Sequence, residues 1–425
     1  MYDYSVCPNR VILCVDLVAF YASVSSIKMG YDPLKTKLAV VGDINRPGSV
    51  VLAATPPLKK LGEAMGKKFS RLYEIPKRPD IIIVNPMMET YIKCSNYITK
   101  LALQYVAPCD FFQMSIDEFF LEMDSSLHLF ATDPYEFAHK LQQEIYQKTR
   151  ITCAIGISVS PLMSKLCLDL ESKKCPDRIA CWTYNDVQTK LWSVTPLSKF
   201  YGISSKTEQK LNRKGIYTIG DLAEYPLKYL KQTFGPVIGE ELHLHSWGID
   251  FSRIREKHIP NSTSIGKSQV LLRDYYIDEI PFVLLEQIEE VCYRMRMQYK
   301  LARTVQMSIG YSKDYPGGIR KSFTMSRATG LTMEIYNICL KYLVQMNTGE
   351  PIRSISITLT NLVDEGEEQL SLFDDVRKRE QQMKLTKALD EIRTRFGKNS
   401  ILRAVSYTPG ATSKYRNSLL GGHRA

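Results

Sequence analysis

Three carboxylates stand where carboxylates are costly to keep. Met114-Ser-Ile-Asp-Glu-Phe-Phe-Leu121 sets Asp117 beside Glu118 in an apolar run whose Ile116, Phe119 and Leu121 have strand character. Val11-Ile-Leu-Cys-Val-Asp16 ends five apolar residues, readable as a buried strand, on a single acid. An unpaired buried charge costs far more than one folding interaction returns, so something has to neutralise these groups. A hard cation such as Mg²⁺ takes oxygen ligands and leaves positions open for phosphates. Two adjacent strands could aim all three acids at one spot, as two-metal phosphoryl transfer requires, with ions roughly 3.5–4 Å apart. The pattern alone leaves a plainer alternative open, in which Asp117 or Glu118 closes a hairpin and Asp16 pairs with a basic neighbour.

The elements that must position these acids can be read outward from them. Phe20-Tyr21 opens a helix expected over 20–27, and short apolar strands are expected at 38–41, 50–53 and 81–84. In Thr55-Pro-Pro-Leu-Lys-Lys60 the prolines predict that helix starts only after Pro57. Helical period runs over 89–106 and 135–148, and 151–157 reads as a strand. Ser160-Pro161 caps the next helix, where Ser164, Lys165 and Asp169 share a face. This order predicts an α+β region of split-βαβ type through residue 185. Glycine-broken helices follow over 195–250. A strand begins in 262–268, a helix spans 282–301, and strands 305–311 and 352–359 bracket a helix at 333–346. Beyond the acidic Asp364-Glu-Gly-Glu-Glu368, helical period returns over 376–396.

At 425 residues the chain can hold roughly two to four domains with cores of their own. With 44% apolar and 24% charged residues, and no apolar run near the roughly 20 of a membrane span, it reads as soluble, with no membrane partner. The apolar start contains Asp16 and lacks a signal-peptide cleavage pattern. Ten cysteines without a Cys-x-x-Cys argue against a zinc ribbon or disulfide framework and for a reducing, cytoplasmic setting. Cys7, Cys14, Cys153 and Cys167 read as small core fillers. A net charge of +11 points to a polyanionic partner. Residues 1–185 carry 21 basic and 19 acidic side chains, against 15 and 10 in 252–362, so the surplus lies away from the three acids. That suits a polymer-gripping region joined to a metal-binding one.

Asp16-Leu-Val-Ala-Phe-Tyr-Ala-Ser-Val24 followed by Ser115-Ile-Asp-Glu118 resembles the motif pair of the Y-family translesion DNA polymerases, closest to their UmuC-like branch in bacteria. The resemblance covers nearly the whole chain. It implies an α+β right hand: a split-βαβ palm in residues 1–33 and 86–185, small fingers in 34–85 and a helix-hairpin-helix thumb in 186–251. An α/β little-finger domain follows in 252–362, then a clamp-binding peptide and helical tail in 363–425. Catalysis would rest on Asp16, Asp117 and Glu118 holding two Mg²⁺ ions, with the Leu17 carbonyl as a further ligand. The family's frequent second acid, two residues after the first, is Val18 here. Tyr21, beside Phe20, falls where a ring packs on the sugar of the incoming deoxynucleoside triphosphate and rejects a 2′-hydroxyl. Lys165 falls at the family's triphosphate lysine. Lys59 falls at the basic position of the fingers, with Pro56 in place of the usual aromatic.

In the thumb, Gly202, Ile203 and Gly215 lie in segments that resemble helix-hairpin-helix turns, where backbone N–H groups approach the phosphates of primer-template DNA. Lys267, Arg273, Arg303, Lys313, Arg320, Lys321 and Arg327 are the expected phosphate contacts of the little finger. Gln369-Leu370-Ser371-Leu372-Phe373 resembles the pentapeptide that docks on the bacterial sliding clamp, with Leu372 and Phe373 as apolar anchors and Gln369 at a polar rim. Ser400-Ile-Leu-Arg-Ala404 resembles UmuC-like tails, which adds a recombinase filament or accessory subunits to the partners to consider. The implied activity is error-prone synthesis past damaged bases in the SOS response.

Two other readings share parts of this pattern. A nucleotide cyclase builds the same palm around paired acids, but has no use for a helix-hairpin-helix section, a basic sheet or a clamp peptide. A catalytically silent, DNA-bound scaffold of the same family is the non-enzyme alternative, and the presence of all three acids argues against it.

Overall fold

The computed structural model describes residues 2–256, 263–346, 349–366 and 376–424, so the clamp-like peptide 369–373 lies outside the described residues. The chain is α+β and forms two compact units, residues 1–257 with 423–425, and residues 258–422.

The first unit is built around β1 (Ile12–Leu17), the middle strand of a sheet ordered β5 (Phe111–Gln113), β6 (Glu118–Glu122), β1, β7 (Cys153–Ser158), β8 (Ile179–Cys181). Its apolar run is continuous because both faces are covered. Leu13, Val15 and Leu17 join the core beneath α3 (Met88–Ala102) and α4 (Pro134–Thr149). Ile12 and Cys14 point the other way and pack with Phe120, Ala154 and Leu168 of α5 (Pro161–Leu170). Asp16 continues that second row, since side chains alternate along a strand.

Helix α5 starts where the sequence places it, with Ser160 Oγ accepting from the Met163 amide and Pro161 in the first turn. It lies close on β7 because residue 156 is glycine; a Cβ there would fall on the Ser164 carbonyl and the Leu168 amide. Asp117 and Glu118 do not share a strand. Asp117 sits in the turn between β5 and β6, where the chain reverses too tightly for strand pairing, and Glu118 is the first residue of β6.

Within residues 34–85 a three-stranded sheet orders β3 (Val51–Ala54), β2 (Lys37–Val41) and β4 (Ile81–Val84). Helix α2 (Pro56–Ala64) begins at Pro56, two residues earlier than expected, because first-turn residues have no intrahelical N–H bond to lose. Cys14, Cys153 and Cys167 are buried as expected, but Cys7 is half-exposed.

The thumb region stacks α6 (Ser205–Asn212), α7 (Ile219–Glu224), α8 (Leu227–Phe234) and α9 (Pro236–Ser246). Their core of Leu211, Ile219, Leu222 and Leu230 is continuous with Leu162 and Leu166 of α5.

The second unit is an antiparallel sheet ordered β11 (Gly318–Thr329), β10 (Lys300–Tyr311), β12 (Ile352–Asp364), β9 (Ile265–Tyr275). One face packs on α10 (Ile280–Arg296) and α11 (Thr332–Met346). Helix α10 stops at Arg296, short of the expected 301, because Tyr299 is left-handed (φ 54°) and Lys300 already belongs to β10. β11 escaped the sequence reading, its apolar alternation being diluted by Arg320, Lys321 and Arg327.

The tail packs on this unit. Helix α12 (Val376–Phe396) meets α10 through Arg296 and Asp390, joined by bonds of 2.6 and 3.0 Å with both side chains buried. Arg393 pairs with Glu289 at 3.0 Å, and buried Glu286 accepts from the backbone amides of Thr412 and Ser413 at 2.8 and 2.9 Å.

Candidate active site

Antiparallel pairing of β1 with β6 sets Asp16 opposite Glu118 on the face covered by α5. The Leu17 N–H donates to the Asp117 carbonyl at 2.8 Å, tying the end of β1 to the acidic turn. Two of the three acids are therefore cross-strand neighbours, and the third is one residue away.

Asp16 and Glu118 are neutralised by a chain of alternating charges running to α5. Glu118, 8% exposed, pairs with Lys165 Nζ at 2.7 Å and accepts from the Cys14 thiol at 3.2 Å. Lys165 also reaches Asp169 at 3.0 Å, one helical turn on. Asp169 holds Lys173 Nζ at 2.8 Å, and Lys173 closes on Asp16 at 3.1 Å. Burial drives the Asp16 carboxyl above its ordinary range; Lys173 opposes this, and Asp117 and Glu118 add to it. Burial alone would lower the Lys165 ammonium, but the bond to Glu118 and the charges of Asp169 and Glu118 more than offset it and raise it. Asp117 is half-buried and accepts from Ser115 Oγ at 2.6 Å. The alternative left open by the sequence, Asp16 on a basic neighbour, is thus present as a contact.

The residue set suits a hard divalent cation, since the donors are carboxylate oxygens and the positive charges meeting Asp16 and Glu118 are movable ammonium groups. As the side chains stand, no three His, Cys, Asp or Glu residues converge as metal ligands among the described residues. Holding a cation therefore requires the lysines to swing aside.

Tyr21 lies near the acids; burial first, then the charge of Asp117, raises its phenol. Its ring stacks on Tyr91 at 4.5 Å and 19°, while Phe20, 2% exposed, is core. Tyr91 is wholly buried, and its hydroxyl shares a 2.7 Å hydrogen bond with Ser25 Oγ. The sequence reading saw Tyr91 only as part of a helical period, and it saw Lys173 not at all; no motif marks either one. Lys59 is exposed on α2 with no ion-pair partner among the described residues.

The expected DNA contacts divide. Gly202 and Gly215 are exposed and left-handed (φ 93° and 80°), as turns entering and leaving α6 require, whereas the Ile203 side chain is buried in the thumb core. On the second unit's sheet, Lys267 lies opposite Ile357 on the helix-covered face and pairs with Glu290. Arg273 bonds Glu279, and Arg327 bonds Glu334 at 3.1 Å. Lys313 and Lys321 are exposed, and so is Arg303, at a register shift.

Arg320 is different. It lies opposite Ser308, which pairs with Ser356, which pairs with Ser268, a row on the face away from the helices. The next row is Ser322, Gln306, Thr358 and Gly266. This hydroxyl-rich face carries few cations to mark it in the sequence; strand parity counted from buried Ile265 and Leu271 is the signal that reveals it.

A palm of this topology with acids at one end of its sheet, followed by glycine-turned helices and a separate antiparallel sheet, is the build of a right-hand DNA polymerase. The chain belongs to the impB/mucB/samB family of Y-family DNA polymerases, and its class is DNA-directed DNA polymerase. The family model matches residues 15–169, the model of the family's C-terminal domain matches 262–372, and the thumb-domain model of DNA polymerase iota matches 200–250. The chain is 47% identical, over the full length of both, to UvrX of Bacillus subtilis, a protein named for UV-damage repair. It is 33% identical to DNA polymerase IV 2 of the same organism, covering 98% of this chain and 99% of that one. In fold it is similar to a Dbh–Dpo4 chimera of Y-family polymerases, with a TM-score of 0.66, 19% identity, and coverage of 83% of this chain and 99% of the other. Among the described residues no helix is long and apolar enough to cross a membrane.

Proposed function

We propose that this polymerase extends primers past damaged template bases, UV lesions among them, by two-metal nucleotidyl transfer in the cytoplasm, and that a sliding clamp recruits it. The observation that carries the reading is the pairing of Asp16 with Glu118 across β1 and β6, with Asp117 adjoining and Lys165 over the pair. Asp16, Asp117, Glu118 and the Leu17 carbonyl would hold the cations. Two magnesium ions, when bound, supply Lewis-acid activation of the primer hydroxyl and charge neutralisation on the triphosphate. The side chains otherwise position and neutralise, as phosphoryl transfer asks of a protein.

Lys165 leaves Glu118 for the triphosphate, and Lys59 reaches the same group from the fingers. Tyr21, held by its stack on Tyr91, closes the space beside the sugar 2′ carbon. Thumb turns and the open face of the second unit's sheet take the duplex phosphates. In this reading the palm is residues 1–33 and 86–185, the fingers 34–85, the thumb 186–251 and the little finger 252–362, and residues 369–373 are the clamp peptide, whose apolar pair fits a hydrophobic pocket.

The test is extension of a primed template carrying a UV photoproduct, by the purified full-length chain with Mg²⁺ and deoxynucleotides. Bypass is expected, together with stimulation by a bacterial sliding clamp that disappears when residues 369–373 are deleted. A chain that binds the template but adds no nucleotide, on damaged or intact DNA, would favour the silent scaffold instead.

A further inference from the structure

The charge chain contains two residues to which the mechanism above gives no task. Asp169 and Lys173 are neither acids of the catalytic set nor the triphosphate lysine, yet Asp169 touches both lysines and Lys173 touches Asp16. One carboxylate holds two ammonium groups, one on each oxygen: Lys165 on Oδ2 at 3.0 Å and Lys173 on Oδ1 at 2.8 Å. Each lysine has its second bond to a different acid of the metal set, Lys165 to Glu118 and Lys173 to Asp16.

The backbone makes this sharing possible. Lys165, Asp169 and Lys173 recur every four residues, the first two on α5 and the third in the short turn that follows it, so they line one side of the segment over β1. The close approach of α5 at Gly156 brings that side down onto the acids.

We propose that Lys173 is a resident counter-ion which a divalent cation must displace from Asp16, and that Asp169 is the positioning residue that takes it up. Resting on the metal reading above, this makes Asp169 the hub of an exchange. With Asp16 committed to a cation, Lys173 moves wholly onto Asp169, and two ammonium groups then compete for one carboxylate. That competition loosens the hold of Asp169 on Lys165 and frees Lys165 for the triphosphate. Asp169 and Lys173 thus couple cation entry to nucleotide binding without touching the reacting atoms.

The coupling predicts opposite signs for two neighbouring substitutions, which loss of structure would not produce. Mn²⁺ is titrated into the full-length chain without DNA or nucleotide, and free Mn²⁺ is read by electron paramagnetic resonance. Lys173→Met should tighten Mn²⁺ binding about three- to fivefold, the range a partly exposed ion pair supplies. Lys173→Arg should leave it near the wild-type value, and Asp169→Asn should weaken it. In steady-state extension Asp169→Asn should raise KM for the deoxynucleotide more than it lowers kcat, because Lys173 then stays on Asp16 and the cation that meets the triphosphate is held less tightly.

Mn²⁺ binding by Lys173→Met that is equal to or weaker than wild type would overturn the proposal, as would tighter binding by both variants. Asp16→Asn separates the two levels of the argument. If it weakens Mn²⁺ binding while Lys173→Met changes nothing, the exchange fails and the metal site stands. If Asp16→Asn binds Mn²⁺ as wild type does, the metal site fails and the exchange with it.

Discussion

The sheet of the first unit and the sheet of the second solve the same packing problem differently. Strand β1 is covered on both faces, and its one charged residue, Asp16, has its counter-charge supplied by Lys173. Strands β10 and β12 are covered on one face only, and their other face carries Ser308, Ser356 and Thr358. A charge in the first setting has to be partnered, because leaving it alone costs several kcal/mol. A charge on the open face of the second sits in water at little cost, so its presence says little about its task. Charge is therefore informative in the first sheet, and strand parity in the second.

The contrast can be broken at several points. Outside the three acids themselves, the largest effect is expected from Gly156→Val, which forces α5 off β7 and carries Lys165 and Asp169 with it. Primer extension should fall on the order of 100-fold, as a displacement of about 1 Å in positioning groups can cause. Extension within a factor of two of wild type would mean that the α5 side chains do not need their close seat.

In the second unit Arg296 pairs with Asp390, with both side chains buried. Asp390→Ala strands the guanidinium and should cost about 3–5 kcal/mol of that unit's stability, read as a lowered thermal transition of the full chain. An unshifted transition would show that the tail is not anchored there. Next in size, Tyr91→Leu removes the ring behind Tyr21 and should cut discrimination against ribonucleotides about tenfold, less than Tyr21→Ala does. Equal discrimination in Tyr91→Leu and wild type would leave Tyr21 needing no support.

The smallest effect sharpens the comparison most. Arg320→Ala should reduce the slope of log binding constant against log salt by about one, the share of a single phosphate contact. Lys267→Ala, whose ammonium is spent on Glu290 beneath the sheet, should leave that slope unchanged. If both substitutions move the slope alike, the distinction between the two faces of the sheet is void.

What could be read from the sequence follows the same division. β1, α1 (Phe20–Lys28) and α12 were legible because long apolar or strongly periodic runs leave one reading, and Ser160-Pro161 marked the start of α5. The three acids stood out against apolar neighbours. β11 was hidden because its outward residues are cations and hydroxyls, which also suit a loop. Lys267 was misread because basic charge was weighed and its place between Ile265 and Leu271 was not. Lys173 was silent because it acts from a short turn after α5, and only the folded chain brings it to Asp16.

The central claim, that the acids around β1 and β6 form the nucleotidyl-transfer site, is tested most directly by Asp117→Asn. The measurement is single-turnover extension of a primed template at saturating DNA and nucleotide, beside the dissociation constant for the same DNA. Extension should fall at least about 1,000-fold with DNA affinity within twofold of wild type. Extension at the wild-type rate by this variant would contradict the account.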